Sequence, residues 1–443
     1  MALLQDAING ASDGQTLNLA GQTFTDTATV NLNKRLKLND GVLNSGATGG
    51  GFSAAISLGV DGLADDANWA NVLKHGYNAV DSPAKYGSIN GMAINAPNVS
   101  GIYIASRHNW ALNNIAFAAL SPILIWEDTQ HILIEGCTCN YLTDGVTRTQ
   151  SDTVLIRDDA NDNELRWIFI RYCNFHAGTE FTGGSGTGWF GIEPKHADDL
   201  IIAHNILQGG NVLAGYPDSN NGHFHHNEII LESGKAYYGV EIAGPLTVNC
   251  TCEYNYAHGG TANFGTPFDH NSSPANINSI IRYNKVVGLD VLANAPHDVY
   301  NNYISPQGSN DGSSTANVDV WRYSAPTGTN SNNNSSQISR IILGIESHRS
   351  HKLANGEVVT LRGTGFGASQ GGTVLSVGGV TQTPSSWSDT QIQFTYNQGA
   401  VGIGYANISL TDGYDFEVLI TSSPSAGNAR MGVRAGRGRA ILQ

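Results

Sequence analysis

Along the middle of the chain one pattern returns: an apolar residue, two variable positions, a small or amide-bearing centre, one variable position and a second apolar residue. The centres are Ile115, Cys137, Cys173, Asn205, Asn227, Asn255, Asn284 and Asn302, separated by 22, 36, 32, 22, 28, 29 and 18 residues. This fits a base period of about 22 with loops inserted between some units. Three residues before the centres stand Leu112, Ile134, Ile170, Ile202, Phe224, Cys252, Ile281 and Val299. Two after them stand Phe117, Cys139, Phe175, Leu207, Ile229, Ala257, Val286 and Ile304. Every one is apolar. Fixed apolar offsets repeated in this way predict stacked strands, ~4.8 Å apart, whose alternate side chains point inward. The central Asn predicts an inward ladder in which each amide bonds its counterpart in the neighbouring coil. Cys137 and Cys173 occupy the same column as small apolar substitutes.

The unit Leu38-Asn39-Asp40-Gly41-Val42-Leu43 fits the same template. Ahead of it, Leu4-Gln5-Asp6-Ala7-Ile8 reads as a short amphipathic capping helix, and Asp13 to Leu19 as the first strand. Residues 44–100 are Gly-rich and irregular, with a short helix expected around Asp66 to His75, and read as an insertion covering an end or a side. The polar stretch 327–337 reads as a linker closing a solenoid of residues 1–326. Alternating segments such as Ala406 to Leu410 then predict a sandwich over 338–422. Arg430, Arg434, Arg437 and Arg439 mark residues 423–443 as a basic flexible tail. The expected fold class is all-β: a right-handed parallel β-helix followed by a small immunoglobulin-like sandwich.

Gln5-Asp6-Ala7-Ile8, then Asp13-Gly14-Gln15-Thr16-Leu17 and the Asn-laddered coils, together resemble the pectate-lyase-like β-helix superfamily over roughly residues 4–320. That superfamily includes polysaccharide lyases, glycoside hydrolases and phage tailspikes, so the resemblance implies fold more narrowly than function. Gly363-Thr364-Gly365-Phe366-Gly367 and Trp387-Ser388-Asp389-Thr390-Gln391-Ile392 resemble the IPT/TIG family of immunoglobulin-like domains. This second resemblance implies an adhesive, spacer or oligomerising module.

Composition narrows the partners. The chain has 443 residues, 53 of them Gly, and carries a net charge of −14 with 23 Lys and Arg, which leaves no broad basic face for nucleic acid. No apolar run is long enough to span a membrane. Met1 leads into Ala2-Leu3-Leu4-Gln5-Asp6 without a signal-peptide pattern, which fits a trimmed secreted enzyme or a viral structural protein. The five cysteines form no CxxC pair and read as core residues.

Charged residues are scarce, yet they gather on and after the strand that precedes each repeat centre. There stand Glu127 and Asp128, Arg157 and Asp158, Glu193 with Lys195 and His196, Glu241, and Asp269 with His270. Glycoside hydrolysis needs two carboxyl groups at defined separations. Asp158 and Glu193 on adjacent coils, or Glu193 and Glu241 two coils apart, are the candidate pairs. β-Elimination needs a base beside groups that neutralise a uronate, and Arg157, Glu193, Lys195 and His196 supply both, with Ca²⁺ at the acids as an alternative to having no cofactor. Gly191-Ile192-Glu193-Pro194-Lys195-His196 loosely resembles the Lys-bearing coil of alginate- and chondroitin-type lyases, although no Arg stands one coil later. A second column, Tyr172, His204, His226, Tyr254 and Tyr283, offers rings for sugar stacking, with Asp269 and His270 as polar contacts. No metal site is expected: strand alternation should leave at most two of His223, His225 and His226 on one face.

These readings converge on a tailspike-like or fibre-like virion protein, expected as a homotrimer, that binds and depolymerises a bacterial surface polysaccharide and meets other virion proteins through its C-terminal region. The alternatives are a secreted lyase or hydrolase acting alone and a non-enzymatic virion protein.

Overall fold

The computed structural model describes residues 2–49, 53–61, 87–119, 121–139, 152–158, 165–176, 190–208, 212–215, 219–231, 238–241, 248–259, 266–269, 279–286, 298–304, 330–331, 340–349, 351–411 and 415–422. Three long parallel sheets dominate it, with 12, 11 and 9 described strands, here called the first, second and third sheets. From the first coil to the one ending in Thr266–Asp269, the described coils give one strand to each sheet in turn, as His108–Asn113, Ala116–Ala119 and Ile123–Trp126 do. The chain is a parallel β-helix.

The repeated apolar columns are its core. Leu112, Ile134, Ile170, Ile202, Phe224, Cys252 and Ile281 are fully or almost fully buried along the first sheet, and Phe117, Cys139, Phe175, Leu207, Ile229 and Ala257 along the second. Between these sheets runs the amide ladder. The Oδ1 of Asn227 accepts from both the backbone N–H and the side-chain amide of Asn205 at 3.0 Å. Asn255, Asn284 and Asn302 repeat the arrangement one coil at a time. Each amide also donates to a carbonyl of the preceding coil, Asn205 to Ile170 and Asn227 to Ile202. These fully buried polar groups are thereby satisfied within the interior. Cys173 lacks an amide but still donates its N–H to Asn205 Oδ1 at 2.9 Å.

The residue before each ladder position turns the corner between the first and second sheets in the left-handed backbone region, with φ from 53° to 64° at Asn114, Gly136, Tyr172, His204, His226, Tyr254, Tyr283 and Asn301. A side chain in this region is sterically disfavoured. Here stacking of the same corner in neighbouring coils holds it.

The helix Leu4–Gly10 closes the first coil by burying Leu4 and Ile8. Asp26 from the coil beneath accepts from the Leu4 N–H at 2.9 Å and caps the helix start. Within the stretch read as an insertion, Ala54–Leu58, Gly87–Asn90 and Ala93–Ala96 are regular coil strands. Residues 62–86, and with them the expected helix around Asp66 to His75, lie outside the described residues. Asn330–Ser331, inside the expected linker, pairs as the final strand of the first sheet, so the solenoid extends past residue 326. The tail 423–443 also lies outside the described residues.

Residues 341–420 form two packed sheets. One joins Ile341–Ile345, Val358–Thr364, Gln391–Thr395 and Pro384–Trp387; the other joins Lys352–Leu353, Phe416–Ile420, Gly404–Leu410, Leu375–Val377 and Val380–Gln382. Inward residues including Val359, Leu361, Ile392, Phe394, Ile408 and Val418 fill the space between them.

Candidate functional site

The first and third sheets each turn one face of alternate side chains away from the core, and the two faces differ in chemistry. On the third sheet, Ile102, Ile104, Ile123, Ile125, Val154, Ile156 and Ile192 point inward. The residues between them form outward columns. The parallel register sets Ser57, Tyr103, Leu124, Leu155 and Glu193 in one column. Ile192 faces Ala214 and Gly215 faces Glu241, so the column continues through Gly215 to Glu241 and then Asp269. Two residues along, Ala105, Trp126, Arg157 and Lys195 form a parallel column.

Glu193 is thereby flanked by Arg157 and Lys195. Burial pushes its carboxyl above the ordinary value, and the two cations offset this only in part. A carboxyl in that environment keeps its proton further toward neutral pH than a solvated one. The Arg157 guanidinium lies 5.3 Å from the Trp126 ring centre, and the Trp126 indole N–H donates to Glu127 at 3.2 Å. Trp126 is buried and serves as a support for Arg157.

The register corrects one expected pair. Glu193 stands opposite Leu155, not Asp158, because Asp158 lies beyond the strand end, where its N–H donates to the Lys195 carbonyl and its own carbonyl accepts from His196 Nδ1 at 2.8 Å. Asp158 is fully buried and cannot act as the partner carboxylate on an outer surface. Glu193 and Glu241 do share a column, two strand spacings apart with a glycine between. For Glu241 and Asp269 the backbone fixes the column; His270 lies outside the described residues.

The first sheet's outer face is covered. Ala111, Leu133, Phe169, Ile201 and Ala203 point outward from four successive coils and belong to one buried cluster with Ile342, Leu353, Phe394 and Phe416 of the C-terminal sandwich. The expected ring column also forms: successive rings from Tyr172 through His204, His226 and Tyr254 to Tyr283 stack with centres 5.0–5.1 Å apart. The sandwich strand Ile341–Ile345 lies against it. His204 Nδ1 donates to the Leu343 carbonyl at 2.5 Å, the Ile345 N–H donates to the Tyr172 hydroxyl at 3.0 Å, and Tyr172 also bonds His351. Tyr254 and Tyr283 pack on Ile341 and Leu343. Rings expected to stack on sugars stack instead beneath a domain, so this column is an interdomain seam. Gly344 permits the close approach, since a Cβ there would meet the Tyr172 hydroxyl at 2.9 Å.

Around the seam, Arg362 donates to Glu228 at 2.8 Å and to the His204 carbonyl at 3.1 Å, and Arg349 donates to Asn114 at 2.7 Å. Burial alone would raise the Glu228 carboxyl, but bonds from His258 and Arg362 outweigh it and hold the carboxyl below its usual value. Within the seam, His204, His225 and His226 place ligand-capable nitrogens within 4.8 Å of one another. Of His223, His225 and His226, only His225 and His226 belong to this group; the third member, His204, was not among the histidines weighed for a metal. His226 sits at the left-handed corner rather than on the strand, so alternation does not turn it away, and His204 comes from the neighbouring coil. The sequence did carry a signal for the seam. Ile132-Leu133-Ile134, Ile168-Phe169-Ile170 and Leu200-Ile201-Ile202-Ala203 are apolar at consecutive positions, as strands buried on both faces are.

The sandwich has known relatives. Residues 346–425 match the IPT/TIG domain family. The IPT/TIG domain therefore lies on the side of the solenoid and covers part of its first sheet. No curated protein matches the chain. Among solved structures, the Siphovirus 9NA tailspike receptor binding domain is similar at 12% identity, over 95% of this chain and 97% of that one, with a TM-score of 0.19. Among the described residues no helix is long and apolar enough to cross a membrane.

Proposed function

We propose that this chain is a tailspike-like or fibre-like protein that engages an extracellular bacterial polysaccharide along the outer face of the third sheet and cleaves it there. The observation that carries this reading is the register that sets Glu193, Gly215, Glu241 and Asp269 at matching positions of successive third-sheet strands, beside Arg157 and Lys195. A glycine between two acids leaves a gap in the column where a sugar unit can sit. Two strand spacings separate Glu193 from Glu241 by ~9.6 Å, at the upper end of the separation an inverting hydrolase uses. Glu193, whose carboxyl burial raises, suits the general acid, and Glu241 the base that activates water. Arg157 and Lys195 suit a sugar carboxylate in the neighbouring subsite. Assembly as a homotrimer within a virion belongs to the same reading and is tested by the mass of the protein in solution.

The direct test incubates the purified protein with uronate-containing and neutral bacterial polysaccharides. Reducing ends and the ultraviolet absorbance of unsaturated products are followed together, with Glu193→Gln and Lys195→Ala as controls. Reducing ends without absorbance, lost in Glu193→Gln, are expected. Absorbance that rises with the reducing ends would make the reaction an elimination. Silence in both, with a glycan still bound, would remove catalysis and leave adhesion.

A further inference from the structure

We propose that His204, His225 and His226 form a binding site for a Zn²⁺-class transition-metal ion inside the seam between the solenoid and the IPT/TIG domain. Three imidazoles from two adjacent coils present nitrogens within 4.8 Å of one another. Three nitrogens on one tetrahedral Zn²⁺, each about 2.0–2.1 Å from the ion, lie about 3.4 Å apart, so side-chain rotations within the seam bring the set onto an ion. His225 and His226 already touch through their Nδ1 atoms at 2.7 Å, which requires that at least one of these nitrogens present a lone pair. His204 donates from Nδ1 to the Leu343 carbonyl, which fixes its tautomer and makes Nε2 the nitrogen with the lone pair. A backbone carbonyl orienting the far nitrogen of an imidazole is the outer-shell arrangement that metal-ligating histidines use.

The stacking of His204 between Tyr172 and His226 limits ring motion out of the site. Three protein nitrogens leave a fourth position for water or a small anion. The orienting carbonyl comes from the sandwich strand Ile341–Ile345 and the ligands from the solenoid, so the ion would strengthen the attachment of one to the other.

The test uses the full chain with any affinity tag removed, dialysed against a chelator and titrated with Co²⁺ and then Zn²⁺. One equivalent of Co²⁺ per chain is expected, with visible absorption that Zn²⁺ displaces and a rise in melting temperature. His225→Gln should lose that equivalent, whereas His108→Gln, on a distant coil, should keep it. X-ray absorption at the zinc edge of the wild-type protein reads the ligands without any variant, and three imidazole nitrogens at about 2.0 Å are expected. No bound equivalent in the wild-type protein, undiminished binding in His225→Gln, or fewer than three imidazoles at the edge would each overturn the proposal.

Discussion

The first and third sheets are built by the same coils, yet one turns outward Ala111, Leu133, Phe169, Ile201 and Ala203 and the other Tyr103, Leu155, Arg157, Glu193 and Lys195. The first set is buried under the IPT/TIG domain; Tyr103, Leu155, Arg157, Glu193 and Lys195 are half-buried and polar for the most part. In a solenoid the inward columns make the fold and the outward columns are left to vary. The comparison teaches that an apolar outward column marks a docking face, and a charged one that mixes both signs marks a face where chemistry can occur.

The strongest way to break this contrast is to cut the docking face at its centre. Phe169→Ala removes a fully buried ring shared by both domains and should cost about 3–5 kcal/mol in thermal or denaturant unfolding. Leu155→Ala on the third sheet should cost clearly less, and equal losses would erase the distinction. Gly344→Ala forces a methyl group against Tyr172 and His204 and should destabilise the seam by about 1–3 kcal/mol, read as faster proteolysis between the domains.

Acid sharpens the contrast through Glu228. Its carboxyl is held below the ordinary value in the folded protein, so the stability it contributes is fully present above the unfolded carboxylate value. That contribution is lost as pH falls through the lower folded value. Stability should therefore decline on the acid side with a shallower slope in Glu228→Gln, and an unchanged slope would show that the His258 and Arg362 contacts contribute nothing. The smallest stability effect is expected on the third sheet. Burial disfavours the charged form of Glu193, so at neutral pH its ionisation works against folding, and Glu193→Gln should stay within about 1 kcal/mol of wild type or gain slightly while losing activity. A large loss of stability there would make Glu193 a structural residue.

Much of this architecture was legible from periodicity. The columns three before and two after each centre and the amide ladder from Asn205 to Asn302 follow from residues that repeat at coil spacing, where one strand's environment foretells the next; the opening helix follows from its own amphipathic pattern. The acid column was legible as residues but not as pairs, because a shift of register by a few positions moved Asp158 behind the strand end and out of Glu193's reach. The seam was hidden for a different reason. Tyr172 meets His351 and Glu228 meets Arg362 across 179 and 134 residues, and no local pattern states which distant surface covers a corner ring. The consecutive apolar residues around Phe169 announced that something would cover them, without naming the partner.

The IPT/TIG domain is attached along the flank of the solenoid, gripping coils from Ala111 to Lys285 at once. A force pulling on that domain would meet these contacts in shear, sharing load among many coils, instead of peeling the solenoid open one coil at a time from an end. The β-helix would then behave mechanically as a rod held in a clamp, with the stacked rings of the corner column as the teeth that resist sliding.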